Sequence, residues 1–144
     1  MLKLGADVDA QDKEDMTPLH FASRSDYRDG DVQLLLENGA SVHVRNKNGQ
    51  MPLHLASEKL LSSVVALLLT FGADVNAQDG KYMTPLHYAL LSLPKSFRFP
   101  EDVWKVIRIL SESGASDNLP DEHGKTPLQI AQTFFEHSKN DSST

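Results

Sequence analysis

Apolar residues along this chain come in short bursts that recur at a long interval, and they do not form one continuous stripe. Leu19, Phe21 and Ala22 make one burst, and Leu53, Leu55 and Ala56 make the next. Each follows a proline, which suits the first helical position because its missing N–H costs nothing there, so each burst reads as one apolar face of a short helix. Thr17 before Pro18, and likewise Thr84 before Pro85, can cap the helix through the hydroxyl. Ala22, Ala56, Ala89 and Ala131 fall at one shared position, where a methyl group lets neighbouring helices approach closely. Wider runs of Val, Ile and Leu predict a second helix in each unit, over 31–37, 63–69 and 102–110. Gly39, Gly72 and Gly114 follow them and can take the left-handed conformation that closes a helix.

The bursts belong to a repeat. Thr17-Pro18-Leu19-His20, Met51-Pro52-Leu53-His54, Thr84-Pro85-Leu86-His87 and Thr126-Pro127-Leu128-Gln129 start 34, 33 and 42 residues apart. A second series, Gly5-Ala6-Asp7-Val8, Gly39-Ala40-Ser41-Val42, Gly72-Ala73-Asp74-Val75 and Gly114-Ala115-Ser116-Asp117, keeps the same intervals, each Gly lying 12 residues before the next tetrapeptide. Variation in length is therefore confined to the stretch between a tetrapeptide and the following Gly, where the helices lie.

These residues resemble the ankyrin repeat, with its period of about 33 residues and Thr-Pro-Leu-His-x-Ala signature. The match is fullest at Thr84-Pro85-Leu86-His87-Tyr88-Ala89 and at Gly72-Ala73-Asp74-Val75-Asn76-Ala77-Gln78-Asp79. The resemblance implies an all-α solenoid of stacked helix-turn-helix units with hairpin loops, about four repeats, the first truncated on its N-terminal side. Units are expected at about 12–45, 46–78, 79–120 and 121–136, after a remnant at 1–11. An insertion over about 93–100 and a disordered, Ser-rich tail over 137–144 complete the division.

Departures from the pattern carry their own expectations. The chain opens inside a repeat, so it reads either as a fragment of a longer array or as a chain in which another surface covers Leu4, Val8 and Leu19. Gln129 in place of His and Asp117 in place of Val make the fourth unit look like a C-terminal cap. Tyr82 stands where Gly49 and Gly124 stand in their units, and a bulky residue resists positive φ, so the third hairpin is expected to move its turn to Gly80. In the insertion, Phe97, Arg98 and Phe99 either anchor a partner or pack beside Trp104.

Composition narrows the chemistry. The 144 residues carry 14 Lys and Arg against 20 Asp and Glu, a net charge of -6 that argues against a nucleic-acid backbone as main partner. The faint exception is Lys95 with Phe97, Arg98 and Phe99. Without cysteine there is neither a disulfide nor a thiolate metal site. No apolar run approaches the roughly 20 residues that span a bilayer, and the acidic N-terminal stretch is unlike a signal peptide. We therefore expect a soluble monomer in the cytoplasm or nucleus, with no membrane, cofactor or small-molecule substrate.

The equivalent histidines His20, His54 and His87 are read as structural. Residues one repeat apart sit on helices about 10 Å apart, too far to share a zinc ion with bonds of about 2 Å. The resemblance implies that each ring bonds near the Thr hydroxyl and the adjoining loop. Asp26, Asp29 and Asp31 around Gly30 lack the terminal Glu of a calcium loop and read as an acidic turn. No phosphate loop or nucleophile motif is present, so no catalysis is expected.

The resemblance places partner binding on the hairpin tips and the exposed side of the first helices. By position, the first tip offers Gln11, Lys13, Glu14 and Met16, and the second Arg45, Lys47, Asn48 and Gln50. The third offers Gln78, Lys81, Tyr82 and Met83, and the fourth Glu122, His123 and Lys125. Arg24, Glu58, Lys59, Leu91 and Ser92 add the helix face. Met16, Tyr82 and Met83 are unusual in polar loops and suggest exposed contacts independently. The same resemblance marks Asn76 for asparagine hydroxylation. Residues 39–100 hold 6 basic and 3 acidic side chains, between segments holding 4 and 9, and 4 and 8. A partner with an acidic centre fits that order. The expected role is a non-catalytic protein-interaction module, acting as adaptor, scaffold or competitive inhibitor. The alternative is the targeting segment of a larger enzyme, ubiquitin-ligase adaptor or toxin whose active part lies outside this chain.

Overall fold

The computed structural model describes residues 7–25, 29–93 and 101–142. Leu4, most of the insertion, and Phe97, Arg98 and Phe99 with it, lie outside the described residues. The described elements are helices alone: α1 (Pro18–Ser23), α2 (Asp29–Glu37), α3 (Pro52–Glu58), α4 (Ser62–Thr70), α5 (Pro85–Leu91), α6 (Glu101–Glu112) and α7 (Pro127–Ser142). Helices α1, α3, α5 and α7 stack in one row and α2, α4 and α6 in a second, with α1 packing on α2, α3 on α4 and α5 on α6. Hairpin loops join one pair to the next. The expected stack of helix pairs is what forms.

Local chemistry sets the ends of the helices. The Thr17 and Thr84 hydroxyls accept the N–H of His20 and His87, both at 3.3 Å. Met51 has no hydroxyl to offer, and there the His54 ring holds the entry, its Nδ1 accepting the Met51 N–H at 2.9 Å, while the His54 N–H donates to the Met51 carbonyl at 3.0 Å. At the far ends, Gly39, Gly72 and Gly114 take φ of 89°, 91° and 94°. The residue after each glycine donates back five positions, as Ala40 does to the Leu35 carbonyl at 3.0 Å, which satisfies an orphan carbonyl of the last turn.

One apolar interior runs through both rows, built around Leu19, Val32, Leu53, Val64, Val65, Leu68, Val106 and Leu110. Ala56 and Ala89 are fully buried between neighbouring first helices, while Ala22 and Ala131 at the two ends of the row are half-buried. Phe21 departs from its expected place in the core. It is 43% exposed, whereas Leu55 at the equivalent position of the next repeat is buried. Leu19 is fully buried and Val8 partly so, so the array itself covers Leu19 and no further surface is needed there. The helix α7 continues to Ser142, past residue 136 and into the stretch expected to be disordered.

One expectation about the hairpins is overturned. The third hairpin does not move its turn: Tyr82 itself adopts φ 60°, as Asp15 does at φ 59° in the first, and Gly80 has no positive φ. The glycine at 80 serves close approach instead. A Cβ there would stand 2.9 Å from the Asn48 carbonyl oxygen, and one on Gly49 would stand 2.6 Å from the Gly80 nitrogen.

Ala56→Leu should overpack the interface between first helices and destabilise the chain by about 1–3 kcal/mol in denaturant titration. Gly49→Ala should cost more than Gly124→Ala in the same assay. Both sites have positive φ, for which about 1–2 kcal/mol is expected, but only Gly49 also meets main chain, since nothing lies within 4 Å of a Cβ at Gly124. Equal losses would show that the hairpins do not approach as described.

Candidate binding surface on the hairpin edge

Each hairpin is closed by one side chain at an equivalent position. Asp12 Oδ1 accepts the N–H of Glu14 and Met16, and Asp79 Oδ1 those of Lys81 and Met83, all at 2.9 Å. Asn46 and Asp121 do the same in the second and fourth hairpins. Burial acts to raise the Asp121 carboxyl, yet the N–H groups of Lys125 and His123 hold it below its ordinary value. Successive tips are then joined by main chain. Lys47 N–H donates to the Glu14 carbonyl at 3.0 Å, Gly80 to Asn48 and Glu122 to Lys81, each at 2.9 Å.

The histidines fasten helices to this ladder. His20 Nδ1 accepts the Thr17 N–H at 3.1 Å, so its proton must sit on Nε2, which donates to the Gln50 carbonyl of the next hairpin at 2.9 Å. His54 Nε2 reaches the carbonyls of Ala77 at 2.8 Å and Met83 at 3.0 Å, and His87 Nε2 that of Lys125 at 2.9 Å. Each ring ends on a different hairpin, so the three do not converge. Gln129 reproduces the near half of the arrangement, with Oε1 accepting the Thr126 N–H at 3.0 Å. Burial pushes the His20 and His54 rings below 6.5, which keeps them neutral.

The expected partner residues divide by this scaffold. Lys13, Glu14, Lys47, Asn48, Lys81, Tyr82, Glu122, His123 and Lys125 are exposed at the tips, and Arg24, Glu58 and Lys59 on the first helices. Gln11, Arg45 and Gln78 also reach the surface but hold turns together. Arg45 Nη1 donates to the carbonyls of Gly49 and Gln78, both at 2.8 Å, and Gln78 Nε2 to those of Tyr82 and Pro120. Gln50 and Met83 are half-buried. Met16 corrects the reading of an exposed loop methionine: it is 7% exposed, with the Asn46 amide 3.4 Å from its sulfur. Asn76 bridges repeats, its Nδ2 donating to the Gly114 carbonyl at 3.2 Å and its Oδ1 accepting the Ser116 N–H at 2.7 Å.

Sequence reasoning missed two contributors. Phe21 is exposed with the Arg24 guanidinium 4.9 Å from its ring centre, an aromatic and cationic pair on the helix face. Tyr88 donates its hydroxyl to Asp79 and accepts the Gln50 amide at 3.0 Å, joining α5 to two hairpins. Burial, then the bond to Asp79, raises the Tyr88 pKa. Register alone does not show that position 21 leaves the core, since the equivalent Leu55 is buried, and only the fold brings Asp79 to Tyr88.

The model for ankyrin repeats in three copies matches residues 1–79 and again 19–99. The chain belongs to the ankyrin-repeat family. The ankyrin repeat protein FPV031 of Fowlpox virus (strain NVSL) is 32% identical over 136 residues, which is 92% of this chain and 38% of that protein. Rabankyrin-5 of Homo sapiens is 39% identical over 75 residues, 51% of this chain and 6% of its own length. The chain thus spans well under half of either relative. Ankyrin repeats are a general protein-interaction module. Among the described residues no helix is long and apolar enough to cross a membrane.

Because His20 and His54 are neutral when folded, the unfolded chain takes up their protons as pH falls below about 6.5 and the folded chain does not. Their contribution is complete above that pH and is lost as the solution becomes more acid. Thermal melts at about pH 7 and about pH 5 should show this loss, and His54→Gln should reduce its size. At neutral pH that variant should be less stable by about 1–3 kcal/mol, since Gln keeps the cap and strands two carbonyls. A wild-type pH slope in His54→Gln would contradict the neutral-ring assignment.

Proposed function

We propose that this ankyrin array is a non-catalytic module that binds a protein partner with its hairpin tips and the adjoining face of the first helices, serving as adaptor, scaffold or competitive inhibitor. One observation carries the reading. The scaffold's bonds are made by main chain and by equivalent side chains such as Asp12, Asp79, His20 and His54, whereas Lys13, Lys47, Asn48, Lys81, Tyr82 and His123 stand exposed along one edge. Side chains that the fold does not consume are free to specify a partner. The family's usual non-catalytic role supports the absence of enzymatic chemistry, and we read the module as a cytoplasmic or nuclear monomer.

A photo-crosslinking residue placed at Tyr82 or Lys47 should capture a partner protein in cells. The same residue at Arg108 on α6 should not, since that helix lies in the opposite row. Crosslinks of equal yield from both rows would remove the hairpin edge as the binding surface.

A further inference from the structure

The groove between the second and third hairpins differs from the rest of the edge in what its polar groups still lack. It encloses about 610 Å³ and is lined in part by Arg45, Lys47, Gln50, Asp79, Lys81 and Tyr88. Several of its acceptors are already taken. One Asp79 oxygen takes the N–H groups of Lys81 and Met83, and the other takes the Tyr88 hydroxyl. Gln50 Oε1 takes the Asn46 amide at 3.0 Å, and its carbonyl takes His20 Nε2. The carbonyls of Gly49 and Gln78 take Arg45, and that of Asn48 takes Gly80.

Its cationic side chains, by contrast, keep donors to spare beside the exposed Asn48 amide. Lys47 and Lys81 are exposed, and among the described residues neither they nor Arg45 forms an ion pair with a carboxylate. The ion pairs that are described lie elsewhere, Lys105 with Glu101, Arg108 with Glu112 and His123 with Glu122. Asp79 offsets one of the three positive charges, and its carboxylate faces Tyr88 and the turn N–H groups. On either side acidic groups outnumber basic ones, with Asp12, Glu14 and Asp15 against Lys13 in the first hairpin and Asp121 and Glu122 against Lys125 in the fourth.

We propose that this groove holds an extended peptide segment whose adjacent Asp or Glu side chains accept from Lys47, Lys81 and Arg45, with neutral or basic residues on both flanks. This deepens the protein-binding reading and rests on it. Charge-assisted bonds to carboxylates use the donors that the scaffold leaves over. A nucleic acid is the poorer occupant, because it presents charge continuously and needs a basic track longer than one groove between acidic tips.

Selection of a randomised peptide library on the full chain should enrich neighbouring Asp and Glu residues. Selection on the Lys47→Glu/Lys81→Glu variant should enrich Lys and Arg instead. A selected acidic peptide should bind the Lys47→Gln/Lys81→Gln variant about tenfold more weakly, the loss expected for two charge-assisted contacts. Its wild-type affinity should fall as salt is raised. Selected peptides without acidic bias, acidic peptides indifferent to both lysines, or single-stranded DNA that displaces them would each overturn the proposal. Tip crosslinks to peptides lacking acids would leave the broader protein-binding reading standing, whereas crosslinks of equal yield from both rows would remove that reading as well.

Discussion

The bond from each buried histidine to a carbonyl of the following hairpin is the constraint on which the rest of the array depends. A stack of helix pairs needs something that fixes the distance and angle between one pair and the next, and apolar packing alone is non-directional. The imidazole supplies direction because its two nitrogens do different work. Nδ1 accepts from the start of its own helix, as in His20 with Thr17, and Nε2–H is then committed to the neighbour, as with Gln50. Within an apolar interior such a bond is strong when made and costly when broken.

From that fixed spacing the hairpin edge follows. With neighbouring tips held in register, Lys47, Gly80 and Glu122 can each donate to the preceding tip, and Arg45 and Gln78 can reach carbonyls in two hairpins at once. The edge becomes a rigid ladder whose rungs are main chain. Exposed side chains then stand on a surface that loses little conformational freedom when a partner arrives, which favours affinity.

Most of this scaffold was legible in the sequence because repetition writes the same physical solution several times. Thr-Pro-Leu-His announced a capped helix, and the Gly-Ala pairs announced its partner's end. The misreadings have common causes. Met16 and Tyr82 were judged by residue type, yet the neighbouring hairpin buries Met16 beside Asn46 and the turn imposes φ 60° on Tyr82. Gly80 looked like a turn residue, and its reason is the Asn48 carbonyl on another hairpin. Contacts between repeats are invisible to a reading that treats each repeat alone. The groove between the second and third tips was foreshadowed only as a run of basic residues, because the fold decides which acceptors are already taken.

The spacing between the third and fourth tetrapeptides is 42 residues, against 34 and 33 before it. Even so, Asn76 still reaches Gly114 and Ser116, Gln78 still reaches Pro120, and His87 still reaches Lys125. All of these bonds run outside the connection between α5 and α6, so added length there leaves the register of the stack undisturbed. That junction is where evolution or an engineer can splice in new sequence, turning one connection into an independent appendage while the ladder on the other edge continues unbroken.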